Sequence, residues 1–218
     1  SGEVLHGLRV VLRIRGLFCW SEPSGKAHKE APEMSRSKSR RSSQAMILAE
    51  AGVAAALAWI LSRLRIFRMP QGGSVSLELV PILYLAFYRG TYPGVLAGLA
   101  AGLLKLATGA DVVHPLQAIL DYPLASMVLG LAPLISFGRG ITRVVSGTIA
   151  SSFLQFLCFF ASGIIFFGQY APEGTPVWQY SAVYNAGYLV PEMIISAVVV
   201  AYLMRKGAFG DGSPKGRR

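Results

Sequence analysis

An all-α membrane bundle is the fold class this sequence predicts, and three observations predict it. Hydrophobic residues are 53% of the 218-residue chain and charged residues only 15%. Mean hydropathy is +0.48, a balance found in polytopic membrane proteins rather than in soluble domains. Six apolar runs recur along the chain, and none has the strict alternation of a membrane barrel strand. Backbone groups inside a bilayer must be bonded within their own segment or in a closed barrel, so the runs read as helices.

Taken in order, residues 1–33 stand apart: they contain no methionine and break their one apolar stretch with Arg13 and Arg15. They lack the long apolar run and small-residue cleavage site of a signal peptide. They read as an upstream extension or misassigned start, with a disordered arm as the alternative. Met34 opens the basic leader MSRSKSRRSSQ, so that 1–45 forms a basic N-terminal extension, 46–204 a six-helix membrane domain and 205–218 a basic tail. The predicted spans run from Ala45 to Leu61, Val75 to Tyr88, Tyr92 to Ala107, Pro115 to Phe137, Ser146 to Phe167 and Tyr180 to Met204.

Orientation follows from where Lys and Arg fall, since they are retained on the cytoplasmic side of short loops. Arg36, Lys38, Arg40 and Arg41 precede span one, Arg89 follows span two, Arg139 and Arg143 follow span four, and the tail is basic. Loops 108–114 and 168–179 contain no Lys or Arg. Both termini are therefore expected in the cytoplasm. Ser62 to Gly73, an outside loop in this scheme, conflicts with the rule because it carries Arg63, Arg65 and Arg68.

The formal charge of +10 does not call for a nucleic acid partner, because anionic lipid headgroups account for basic residues at the ends and inner loops of a membrane protein. Cys19 and Cys158 have no partner at metal-ligand or disulfide spacing, so neither a metal site nor a disulfide frame is expected.

Candidate chemistry lies on three helical faces. His114, Gln117 and Asp121 fall at i, i+3 and i+7 on span four and share a stripe. A carboxylate at a membrane helix centre costs about 2.5–3.5 kcal/mol on insertion scales, which makes Asp121 a functional candidate. Tyr122 follows it, and Pro123 is expected to kink the helix and free backbone groups. The structural alternative pairs Asp121 with Lys105. On span five Phe159, Gly163 and Phe167 recur at i, i+4 and i+8, leaving a slot for a planar ring or, equally, an ordinary helix contact. On span six Ser181, Asn185, Tyr188 and Glu192 share a stripe beside Tyr180 and Tyr184. The amide of Asn185 offers donors and an acceptor to a heteroaromatic ring with an exocyclic amine, while Glu192 is expected to bond to another helix. The loop from Phe166 to Asn185 that joins these two faces is aromatic, amide-bearing and nearly uncharged, suited to holding a small organic molecule at a membrane face. Gly90, Gly94, Gly98 and Gly102 recur every four residues and predict close helix packing within the bundle; Gly52 and Ala56 repeat that step on span one.

The stretches MPQGGSVSLELVPI (69–82), HPLQAILDYPLA (114–125) and SGIIFFGQYAPEGTPVWQYSAVYNAGYLVPE (162–192) resemble the thiamin-specific S components of energy-coupling factor (ECF) transporters, the ThiT or YuaJ family. The resemblance covers about residues 46–204 and implies a six-helix S component in the bacterial cell membrane. Such a receptor captures thiamin outside and docks on a transmembrane coupling subunit driven by two ATPase subunits. ATP is used by those partners, no cofactor is implied for the chain itself, and it carries no GxxxxGK[ST] loop. The family's helix-four acid and following tyrosine fall on Asp121 and Tyr122, its helix-five glycine on Gly163, and its helix-six tyrosine and asparagine on Tyr180 and Asn185. The coupling face falls on Gly52 and Ala56, and the loop between helices one and two is the family's lid. Where well-studied members have a histidine before the glycine and a tryptophan after it, this chain has Phe159 and Phe167. Some members use glutamate in place of Asp121, and the lid offers Phe67 and no tryptophan. These departures imply weaker binding of thiamin or a preference for its aminopyrimidine moiety. Two other classes compete. A proton-coupled secondary transporter could use Asp121, Lys105 and Glu192, although no repeated halves are evident. An intramembrane enzyme could draw on His114 and Asp121, but no serine or cysteine is placed to complete such a site.

Overall fold

The structure, a computed structural model, describes residues 33–69 and 73–207, with side chains from residue 44 onward. The extension expected over 1–33 falls almost wholly outside the described residues, as do Cys19, Pro70 to Gly72 and tail residues 208–218. Among the described residues the main helices are six: α1 (Glu33–Arg63), α2 (Leu79–Arg89), α3 (Thr91–Ala107), α4 (Pro115–Ile135), α5 (Ile141–Phe166) and α6 (Val177–Lys206).

Four of these are long and apolar enough to cross a membrane: residues Gln44–Arg63 of α1, then α4, α5 and α6. At 1.5 Å per residue, about 20 residues match the hydrocarbon thickness. The second and third helices are shorter, at 11 and 17 residues. α2 is enclosed by the others, with Leu79, Leu83 and Ala86 fully buried. The expected span from Val75 begins as a helix only at Leu79. Upstream, β1 (Phe67–Arg68) pairs antiparallel with β2 (Ser74–Val75) in a small hairpin, an addition to the expected all-α architecture. Ser76 then turns its amide and hydroxyl to Glu192 Oε1, at 3.2 and 2.7 Å, rather than into a helix.

Burial follows the logic of a bundle in lipid. α1 turns Ala51, Ala54, Ala55 and Ala58 inward and leaves Leu48, Val53, Leu57 and Ile60 exposed. α5 buries Thr148, Ser151, Ser152, Gln155 and Ser162 while Ile149, Phe153, Leu157 and Ile165 face out. With lipid as apolar as any side chain, small and polar residues gain most by facing other helices.

Three of the four ladder glycines are used as expected; Gly90 is not, since a Cβ there would meet nothing within 4 Å and its φ of 105° marks the turn between α2 and α3. An added Cβ on Gly94 would meet Ala86 and Gly130, on Gly98 the backbone of Ser126 and Met127, and on Gly102 the Tyr122 carbonyl and the Pro123 backbone. α3 thus lies backbone to backbone along α4, against a stretch that is not regular helix. Residues Leu120–Leu124 form a π-turn around Pro123, with the Ala125 amide reaching back five residues to the Leu120 carbonyl. Proline cannot donate the normal bond, and the wider turn absorbs the extra residue.

Candidate functional site

The loops α1–α2, α3–α4 and α5–α6 meet at one end of the bundle around a cavity of about 230 Å³. Of the residues expected to bind a ligand, Gln117, Asp121, Tyr122, Phe159, Gly163, Phe167, Tyr180 and Asn185 all line it. His114 is not among its lining. It precedes the first turn of α4 in extended conformation and caps it, its Nδ1 accepting from Leu116 N at 3.1 Å, while its ring stacks on Phe166 at 5.1 Å. The shared stripe assumed a helix already formed at residue 114; a residue at the cap lies off the helical face.

On α4 the remaining two residues are joined. Gln117 Nε2 donates to Asp121 Oδ2 at 2.7 Å, and Gln117 Oε1 accepts from Val113 N at 3.1 Å. Tyr122 donates its hydroxyl to the Asp111 carbonyl at 3.2 Å. The site end of α4 is thereby tied to the loop before it, and the π-turn sets Asp121 and Tyr122 against the neighbouring helices. The alternative pairing of Asp121 with Lys105 is overturned: Lys105 Nζ sits 2.6 Å from Glu78 Oε1, because Glu78 at the start of α2 lies closer to the end of α3.

On α6 the polar stripe is largely bonded to itself. Asn185 Nδ2 donates to the Ser181 carbonyl at 2.9 Å and to the Phe159 carbonyl at 3.4 Å, while its Oδ1 accepts the Tyr188 hydroxyl at 2.8 Å. Gly163 works differently from an open slot for a ring, since a Cβ there would fall on the Ser181 hydroxyl. That hydroxyl donates to the Phe160 carbonyl at 2.9 Å, so the glycine lets α5 and α6 touch. Glu192 does bond across the fold, but to Ser76 before α2 rather than to a helix.

These bonds leave an uneven balance. An amide oxygen has two lone pairs, and Tyr188 uses one of those on Asn185. Asp121 Oδ1 and Ser162 Oγ face each other across the α4–α5 contact without a hydrogen bond of ordinary length. Gln155 Oε1 is buried and unpartnered as well. The spare capacity is mostly acceptor, which suits a ligand rich in N–H donors. Aromatic faces border the same space: Phe159 meets Tyr188 edge to face at 6.2 Å, Phe167 stacks on Tyr170 at 6.2 Å, and Tyr180 lies 5.8 Å from Tyr184.

The sequence reading missed Gln155 and Ser162, which also line the cavity. Their signal was available: they lie four residues before and three after Phe159, polar positions on the inner face of an otherwise apolar helix. In the sequence Tyr188 is marked only by its place on a polar stripe. It is buried, and a Cβ on Gly73 would clash with the carbons of its ring. The α1–α2 hairpin therefore rests on the residue that orients Asn185, with Met69 and Val75 packed in the same cluster.

On α1, Gly52 and Ala56 are exposed, and a Cβ on Gly52 would meet nothing within 4 Å. Among the described residues no group of His, Cys, Asp and Glu could hold a metal ion.

Relatives resemble this chain in sequence, and solved structures resemble it in fold. Thiamine transporter ThiT of Bacillus subtilis is 40% identical over 147 residues, 62% of this chain and 77% of that protein. Thiamine transporter ThiT of Lacticaseibacillus paracasei is 34% identical over 176 residues, 74% of this chain and 88% of that protein. A solved ThiT from Listeria monocytogenes superimposes with a TM-score of 0.70 at 25% identity, covering 76% of this chain and 97% of the other. The S component of a bacterial ECF transporter superimposes at 0.56 with 20% identity, over 76% and 96% of the two chains, a likeness of fold. Residues 48–208 match the Thiamine transporter protein (Thia_YuaJ) family across the six-helix bundle and its cavity, and the chain belongs to that family.

Proposed function

We propose that the chain is the S component of an ECF transporter, a non-catalytic receptor that captures thiamin from outside the cell for uptake driven by partner ATPase subunits. The observation that carries the reading is the convergence of Asp121, Asn185 and a set of aromatic rings on one cavity in a chain of this family. In this reading the exocyclic amine of the aminopyrimidine donates to Asp121 Oδ1 and to the spare lone pair of Asn185 Oδ1. Phe159, Phe167 and Tyr180 supply flat faces for the two rings, and their π density favours the thiazolium cation. Gln117 holds the Asp121 carboxylate by one oxygen and leaves the other for the ligand. Both termini lie in the cytoplasm, with the cavity opening outward, and the exposed Gly52 and Ala56 of α1 meet the coupling subunit.

Calorimetric titration of the detergent-purified chain tests it, using thiamin and separately its pyrimidine and thiazole halves. Tight thiamin binding that weakens by about tenfold or more in Asp121→Ala and Asn185→Ala is expected, the worth of a charge-assisted bond at the first and of a buried amide bond at the second. Binding of the pyrimidine half with equal strength would change the substrate, and no binding of any of them would reject the receptor reading.

A further inference from the structure

A second recess lies between α5 and α6, toward the end of the bundle opposite the three loops, as a groove of about 530 Å³. Its lining falls into rows. Met193, Ala197, Ala201 and Arg205 stand four residues apart along α6 and share one stripe of that helix. Ile194, Val198 and Tyr202 form the neighbouring row and are exposed, while Ile141, Val145 and Ile149 of α5 supply the opposite wall, again four apart. Ala197 is buried and Ala201 half-buried between these bulkier rows. Two methyl groups where the neighbours have branched or aromatic side chains make the depression. The groove changes character at its end, where Arg205 lines it. That arginine is exposed and makes no hydrogen bond or ion pair among the described residues, where the ion pairs are Arg89 with Glu50 and Lys105 with Glu78.

Width, length and charge select one occupant. Packed helices lie about 8–10 Å apart, and a helix with its side chains is about 10–12 Å across. A slot between the rows of two such neighbours therefore admits a chain of methylenes and not a third helix. From Met193 to Arg205 the row covers about 18 Å of helix, close to the ~15 Å of hydrocarbon in one leaflet. The Arg205 guanidinium then stands at headgroup height, with Lys206 next to it in sequence. We propose that this groove binds one anionic phospholipid, an acyl chain lying over Ala197 and Ala201 and the phosphate held by Arg205. Guanidinium forks match phosphate oxygens and form short charge-assisted bonds with them, and basic sites between membrane helices favour anionic headgroups. The leaflet is the cytoplasmic one in the orientation proposed above. The groove shares no lining residue with the ligand cavity, so lipid binds there whichever small molecule the cavity takes.

Native mass spectrometry of the full, delipidated chain counts bound lipid as phosphatidylglycerol or phosphatidylcholine is added. The expected result is one phosphatidylglycerol held about fivefold more tightly than phosphatidylcholine, the attraction of one basic residue. Arg205→Gln should remove most of that preference, and Arg205→Lys should keep part of it. Ala201→Leu changes no charge and fills the groove, so it should remove that one lipid with either headgroup while circular dichroism shows unchanged helix content. Basic residues elsewhere bind lipid in every variant, and the readout is the difference from the unaltered chain. Where Ala201→Leu loses helix content, Arg205→Gln at its exposed position decides alone. Equal affinity for the two lipids, a preference untouched by Arg205→Gln, or an unchanged count in well-folded Ala201→Leu overturns the site. An Ala201→Leu chain that keeps its lipid but loses ATP-driven uptake in vesicles makes the groove a contact for the coupling subunit, which overturns it too.

Discussion

Gly163 and Ser181 meet so closely that one cannot grow without the other shrinking. The Ser181 hydroxyl is held by the Phe160 carbonyl and cannot turn aside from a methyl group at Gly163 without losing that bond. Gly163→Ala is expected to destabilise the protein by about 1–3 kcal/mol, the usual cost of overpacking. Adding Ser181→Ala should recover part of the loss, giving a non-additive pair in thermal unfolding; simple additivity would mean that the helices part elsewhere to make room. At this scale the sequence was informative about kinds of residue and poor about their partners. Asp121, Asn185 and the aromatic positions stand out because polar groups in apolar runs are costly. Glu78 with Lys105, or Ser76 with Glu192, stand 27 and 116 residues apart, and no periodicity connects positions on separate elements. Gln155, between Leu154 and Phe156, reads as a packing residue until the opposing helix is known.

Among the elements, α3 and α4 form a contact that side chains hardly mediate. Because the neighbours of Gly98 and Gly102 are backbone atoms, which cannot rotate away, Gly98→Ala and Gly102→Ala are each expected to cost about 1–3 kcal/mol. The Gly102 change should also lower ligand affinity, since the backbone it touches belongs to the π-turn that carries Asp121 and Tyr122. Gly52→Ala is the contrast: with no neighbour to strike, it should leave the melting temperature unchanged or raise stability by up to about 1 kcal/mol through helix propensity. Comparable losses at Gly52 and Gly98 would contradict this division of the small residues. The helices were legible because an apolar run long enough to matter in lipid has few other structures available. The hairpin was not, since strands of two residues carry no alternation and their pairing depends on where α6 stands. Pro123 signalled an irregularity in α4, but whether it would produce a kink or a π-turn was set by the close approach of α3.

The described helical bundle turns apolar side chains toward lipid, buries small and polar residues beside a leucine-rich core, and has its cavity at the end where the three loops gather. A receptor of this form does no work by itself, so uptake in vesicles should require the coupling and ATPase subunits together with ATP, and a proton gradient alone should not support it. Gly52→Leu is expected to preserve thiamin binding in detergent while reducing ATP-driven uptake about tenfold or more, as a bulky side chain separates two surfaces built for close approach. Uptake that survives collapse of ATP but not of the proton gradient would instead favour secondary transport. One contact ties the opening to the interior: the Tyr188 ring lies against Gly73 of the hairpin, and its hydroxyl holds Asn185. Thermodynamic reciprocity then applies to that single side chain. Whatever free energy the bound ligand contributes to keeping the hairpin seated is the free energy by which lifting the hairpin loosens the ligand. A partner could thus discharge the vitamin by pulling on the loop alone, without ever touching the molecule it releases.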